Sequence, residues 1–139
     1  MVLEGNPTVR DIMMRGPVTL GREDTLDLAD DIMNRGRIRH LPVLDGERVV
    51  GVVSQRDLFR SAFVAALGLR GGQQRALLKS LRVKEMMSEP VVTISPDAAI
   101  QEAARLMMEK KIGCLPVVEA ERFVGLITET DILRYVASR

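Results

Sequence analysis

The chain has 139 residues, 46% of them hydrophobic and 28% charged, with a net charge of +1. That balance fits one water-facing domain with a core of ordinary size, and supplies no bulk charge for nucleic acid or a membrane surface. Aromatics make up 3% with no Trp, so the stacking platforms used on single-stranded nucleic acid are largely missing, and the one Cys excludes an internal disulfide.

Residues 1–7 lack the basic-then-apolar order of a signal peptide, and no apolar run approaches the ~20 residues needed to span a bilayer. With one Cys, this suits a cytoplasmic protein. Thr8 with Asp11 three positions on predicts a short capped helix carrying Val9, Ile12 and Met13. Pro17 to Leu20 reads as extended, and Asp24 or Thr25 starts a helix. Leu26, Ala29, Ile32 and Met33 take one face of it, Asp27, Asp30, Asp31 and Asn34 the other, and Gly36 ends it. His40 to Leu44 and Val49 to Val53 read as strands joined at Asp45-Gly46, a hairpin signal. Val49-Val50-Gly51-Val52-Val53 is too continuous for a half-wet strand, so both faces are expected to be covered. A helix follows Ser54, carrying Leu58, Phe59, Ala62, Phe63, Ala66 and Leu67 on a broad apolar stripe. Residues 68–82 form a connection, with a helix at Gln73 to Leu81 that turns Leu77, Leu78 and Leu81 inward.

The same order then returns. Val83 to Met87 is a lead-in helix, Val91 to Ile94 an extended piece, and Ser95-Pro96-Asp97 a helix start with Pro at the first turn. Ile100, Ala103, Met107 and Ile112 carry the apolar face, Cys114 to Val118 and Phe123 to Thr128 are strands, and Asp131 to Ala137 closes the chain as a helix. Laid on 83–134 at an offset of 74, residues 9–60 show 16 identities in 52 positions. Such a repeat decides the fold, and two copies predict one closed pseudo-symmetric domain rather than an open array. The boundaries read 8–67, a linker at 68–82, and 83–137.

Gly51-Val52-Val53-Ser54-Gln55-Arg56-Asp57 and Gly125-Leu126-Ile127-Thr128-Glu129-Thr130-Asp131 each run glycine, two aliphatics, a hydroxyl residue, two variable residues, aspartate. Leu41-Pro42-Val43 and Leu115-Pro116-Val117 stand at the same distance upstream of each. A strand ending in a hydroxyl residue before a helix start presents free N–H groups to an anion, and an Asp in the first turn can accept hydrogen bonds from a ribose.

Across 9–67 and 83–137 this pattern resembles the cystathionine-β-synthase (CBS) domain family. The resemblance implies an α/β fold of two β-α-β-β-α CBS repeats, packed with pseudo-twofold symmetry into one CBS pair (a Bateman module). It implies clefts for adenosine-containing ligands and frequent homodimerisation into a flat disc. It gives Asp57 and Asp131 the ribose, and puts Ser54 and Thr128 near ribose or phosphate. It sets Thr19, Thr93 and the backbone around His40-Leu41-Pro42 and Cys114-Leu115-Pro116 beside the adenine. Ile38, Val53, Ile112 and Ile127 are then expected as its apolar walls. Arg39, Arg56 and His40 can reach phosphates, where the second copy offers Gly113, Cys114 and Thr130, so the first site is expected to favour the more phosphorylated ligand.

Other readings compete. Ser/Thr-x-x-Asp is also a plain helix cap. His40 and Cys114 share one repeat position, but one His and one Cys without partners do not meet metal spacing, and no second His activates a thiol. Core filling is the default for the eight Met. From Arg56 to Lys84 seven basic residues face one acid, a charge that suits nucleic acid, but no recognition motif accompanies them and a solvated face is the commoner outcome. The expected function is therefore regulatory and non-enzymatic: an AMP, ADP or ATP sensor, needing no cofactor or metal, that signals within a homodimer or to a separate effector protein. S-adenosylmethionine and NAD carry the same adenosine and are not separated by the motif. The rivals are a nucleotide-independent dimerisation scaffold built on helices 58–67 and 132–137, and an enzyme or a metal or redox sensor using His40 and Cys114.

Overall fold

The computed structural model describes residues 6–59 and 72–139. In chain order the elements are α1 (Val9–Ile12), β1 (Leu20–Gly21), α2 (Leu26–Gly36), β2 (His40–Asp45), β3 (Arg48–Ser54), a helical stretch at 55–59, α3 (Gly72–Ser80), a 3-10 turn (Val83–Glu85), α4 (Ile100–Lys110), β4 (Cys114–Glu119), β5 (Arg122–Thr128) and α5 (Glu129–Ala137). Most of the helix expected over 58–67 lies outside the described residues.

Two compact units emerge, each with its own core and each about one repeat period long. One is Val18–Val91; the other joins the chain up to Pro17 to Val92–Arg139. In the first, β1 pairs parallel to β2 (Leu20 with Val43) and β2 antiparallel to β3. Its core holds Leu20, Leu26, Ala29, Met33, Leu41, Val43, Val53, Leu58 and Leu78, closed by Val83 and Met87 from the second copy's lead-in. In the second unit β4 and β5 form the hairpin, and the expected strand at 91–94 shrinks to one parallel bridge between Ile94 and Val117. Its core takes Val9 and Met13 from the first copy's lead-in, with Ile94, Ala103, Met107, Leu115, Val117 and Ile127. Each lead-in thus serves the sheet of the other copy.

The exchange obeys the 74-residue offset bond by bond. The Val9 and Arg10 N–H groups donate to the Ala98 and Pro96 carbonyls, both at 2.9 Å. Val83 and Lys84 donate likewise to Asp24 and Arg22, at 2.7 and 3.0 Å. Met14 bridges Leu126 as Ser88 bridges Val52. Side chains follow suit: Arg10 pairs with Glu119 (2.5 Å) and Asp97 (3.2 Å), Lys84 with Glu23 (2.7 Å). The hydrogen bond to Glu119, then that to Asp97, raises the Arg10 pKa above its ordinary value. These pairs are exposed and contribute little beyond register.

The exchange also corrects a helix start. Ser95-Pro96-Asp97 is a turn, with the Asp97 N–H donating to Ser95 Oγ at 3.1 Å, and α4 begins only at Ile100. A helix begun at Ser95 would spend the Pro96 and Ala98 carbonyls on its own N–H groups; here they hold the lead-in instead. Thr8 and Asp11 form the expected capping box, the Thr8 N–H donating to Asp11 Oδ2 at 2.7 Å.

Gly36 closes α2, but the left-handed position is Arg37 (φ 52°), matched by Lys111 (φ 56°) after α4. The Ile38 N–H reaches back to the Met33 carbonyl at 3.2 Å, a Schellman closure. A Cβ on Gly36 would lie 2.9 Å from Ile38 Cδ1, the tip of a side chain that can turn aside, and the second copy carries Lys110 at the same position.

The two hairpins share a two-residue loop but not its chemistry. Gly46 takes φ 62° in the first, while Ala120 (φ 51°) and Glu121 (φ 66°) both sit left-handed in the second. That is the primed turn which Asn-Gly fills without strain. Ala120→Asn with Glu121→Gly is expected to stabilise the protein by ~1–2 kcal/mol in urea denaturation; an unchanged midpoint would mean the loop carries no such strain.

Candidate functional site

In the first copy the repeated motif gathers at one end of the β2–β3 hairpin. His40 is register partner of Ser54, so the start of β2 and the end of β3 lie side by side. The Gln55 N–H donates to the Arg39 carbonyl at 2.7 Å, tying the helix start to the loop before β2. The Asp57 N–H donates to Ser54 Oγ at 3.0 Å. Thr19 precedes Leu20, whose pairing with Val43 puts Thr19 level with Pro42, one strand over. Leu41 and Pro42 are buried, so what they present here is backbone. His40 and Asp57 are half-buried; Arg39 and Arg56 are exposed, with no ion pair among the described residues.

The second copy builds the same end of β4–β5. Cys114 pairs with Thr128, the Glu129 N–H donates to the Gly113 carbonyl at 3.0 Å, and the Ile94 N–H donates to the Pro116 carbonyl at 3.0 Å, placing Thr93 just before that contact. Leu115 and Pro116 are buried, and Thr130 is exposed. Its acid is held differently. Asp131 Oδ2 accepts the Thr128 N–H at 2.9 Å and the Thr128 hydroxyl at 3.0 Å, and Arg134 reaches Oδ1 at 3.5 Å. Asp131 is 7% exposed. The capping reading of the motif thus holds in full here; in the first copy the described residues show only the Asp57 N–H to Ser54. Arg134 was missed from sequence, though its i,i+3 spacing from Asp131 could have flagged it.

Val53 and Ile127, expected as walls for an adenine, are 0% exposed and lie inside the two cores. Alternation along β3 and β5 points them inward. Ile38 and Ile112 are half-buried and pack against those cores with an edge left open.

Burial, with a smaller contribution from Glu129, pushes the Cys114 thiol up from 9.0 to about 12. The thiolate is the reactive form, so a redox or nucleophilic role has no support. Iodoacetamide at pH 8.5 is expected to label Cys114 at least ~100-fold more slowly in the native protein than in urea, as its thiolate is that much scarcer; equal rates would place the thiol in water. Because the folded pKa lies above the unfolded one, this group's share of stability is intact below pH 9.0 and lost as pH rises towards about 12.

The basic run is partly answered within its own unit. Arg75 on α3 meets Asp31 at 2.8 Å and Asp30 at 3.7 Å on the acidic face of α2, and Lys84 meets Glu23. Those charges register the connection on α2, which weakens the case for nucleic acid. Among the described residues no three His, Cys, Asp or Glu side chains are grouped to hold a metal, and no helix is long and apolar enough to cross a membrane.

Strand order, exchanged lead-ins and twice-built hairpin end define a tandem α/β repeat. Residues 9–63 and 83–138 both match the CBS domain family, and the chain belongs to it as a tandem CBS pair. Among solved structures it is similar to an acetoin utilization protein (AcuB) of Vibrio cholerae, at 35% identity over 96% of this chain and 93% of that one (TM-score 0.79). It is similar to CBSX2 in complex with AMP, at 25% identity over 95% and 97% (TM-score 0.77). A third is the CBS domain pair of protein MJ0100 in complex with 5′-methylthioadenosine and S-adenosyl-L-methionine, at 26% identity over 96% and 98% (TM-score 0.77). The chain spans a third or less of the length of the curated relatives it matches first, several of them enzymes.

Proposed function

We propose that this CBS pair is a regulatory module that binds an adenine nucleotide and passes its state to a partner protein or within a homodimer. One observation carries the reading. In both copies a hydroxyl residue, an acid in the first helical turn and the backbone of a buried Leu-Pro strand start converge on one hairpin end. The relatives bound to AMP and to methylthioadenosine with S-adenosylmethionine support it. Asp57 and Asp131 take the ribose, Ser54 and Thr128 the ribose or phosphate, and Thr19, Thr93 and the 38–42 and 112–116 backbones the adenine. Arg39, His40 and Arg56 reach phosphate in the first site; Gly113, Cys114 and Thr130 line the second. Ligand acts by population shift, through unequal affinity for two arrangements of the protein.

Thermal melting with millimolar AMP, ADP, ATP, S-adenosylmethionine and NAD tests this. At ~100 times its dissociation constant a ligand adds ~2.7 kcal/mol, a rise of several degrees, which Asp57→Ala or Asp131→Ala should abolish. The second reading, a nucleotide-independent scaffold, is favoured by Phe59, Leu133 and Val136, which are 59–69% exposed on the motif helices. No shift with any of the five ligands would select it.

A further inference from the structure

The two sites differ in charge far more than their shared motif suggests. Around the first hairpin end stand Arg39 and Arg56, exposed and without ion pairs among the described residues, beside neutral Gln55 and the half-buried Asp57. At the matching positions the second site has Gly113, Thr130, Glu129 and Asp131. Counting Arg39, Arg56 and Asp57 against Glu129 and Asp131, the local formal charge passes from +1 to −2. Cys114, in the place of His40, is a buried neutral thiol. Arg60 and Arg134 share one repeat position and so do not separate the copies. In the second site Asp131 Oδ2 is already taken by the Thr128 N–H and hydroxyl, and Oδ1 accepts only the long 3.5 Å contact from Arg134.

A phosphate brought to the first site gains two guanidinium forks; brought to the second it meets Glu129 instead. An uncharged thioether suffers no such repulsion, and a sulfonium cation is drawn by it. We propose that the two copies divide adenosyl compounds by charge: the first takes a phosphate-bearing adenine nucleotide, the second a phosphate-free adenosyl thioether or sulfonium. This rests on the reading that both copies accept an adenosyl group. The chain then registers two signals at once.

Isothermal titration of the full chain with ATP and with 5′-methylthioadenosine tests the division. Each is expected to bind once per chain without displacing the other. Arg39→Ala with Arg56→Ala should weaken ATP about tenfold or more and leave methylthioadenosine unchanged. Gly113→Arg with Glu129→Gln and Thr130→Arg, which copies Arg39, Gln55 and Arg56 of the first site into the second, should raise ATP from one to two per chain, a gain that misfolding cannot imitate. Two ATP bound by the wild type, mutual displacement, or equal weakening of both ligands by the arginine variant would overturn the division while sparing the adenosyl reading. No heat with either compound would overturn both.

Discussion

A chain lacking residues 1–14 is expected to melt ~10 °C or more below the full chain, and the damage should fall on the second copy's hairpin. By sequence those residues belong to the first copy. In the structure Val9 is 0% and Met13 8% exposed, both inside the cluster of Ala103, Met107, Leu115, Val117 and Ile127. Losing two buried side chains of that size costs ~3–6 kcal/mol. At about 3 °C per kcal/mol for a protein of this length, that gives the expected shift. The exposed Arg10 ion pairs add little. Hydrogen exchange locates the loss. The Leu126 N–H donates to the Met14 carbonyl at 3.0 Å and should lose protection, while amides of the His40–Ser54 hairpin keep theirs. Protection lost in β2–β3 and kept in β4–β5 would refute the exchange.

The second large effect separates two glycines that the repeat makes equivalent. A Cβ on Gly125 would lie 2.7 Å from the Met14 carbonyl oxygen and 3.0 Å from Met13 Sδ. A Cβ on Gly51 would lie 2.7 Å from Met87 Sδ and 2.9 Å from its Cγ. The first obstacle is backbone held by the bridge to Leu126; the second is chiefly the Met87 thioether, which can rotate away, with Met87 Cβ at 3.1 Å having to give only a few tenths of an ångström. Gly125→Ala is therefore expected to cost ~2–3 kcal/mol in urea denaturation and Gly51→Ala ~1 kcal/mol or less. Equal costs would show that Met87 is as fixed as the Met14 backbone. Neither glycine is left-handed: the motif needs them because Met13 and Met14 of one lead-in, and Met87 of the other, lie against them.

Much of the local structure was legible in the chain. Apolar spacing of 3.6 found α2 and α4, and Val-rich runs bounded by turn residues found the four hairpin strands, since both signals arise within a few residues. The motif also gathered its own residues, because a strand leading straight into a helix leaves hydroxyl and acid only three positions apart. What alternation hides was misjudged: Val53 and Ile127 point into the cores. Thr128 and Asp131 close on each other where Ser54 and Asp57 close only in part. No pattern foretold that, since both pairs have the same spacing.

The sequence by itself determined that this protein is a doubled α/β unit with one motif written twice, because periodicity, turn chemistry and the offset of 74 are properties of the chain alone. Only the tertiary structure decided which lead-in closes which sheet. Val9 and Val83 are identical, as are Met13 and Met87, so each lead-in offers either sheet the same two core residues. The Pro96 and Ala98 carbonyls receive the first lead-in and those of Arg22 and Asp24 the second, acceptors that exist only once the turn of the other copy has folded.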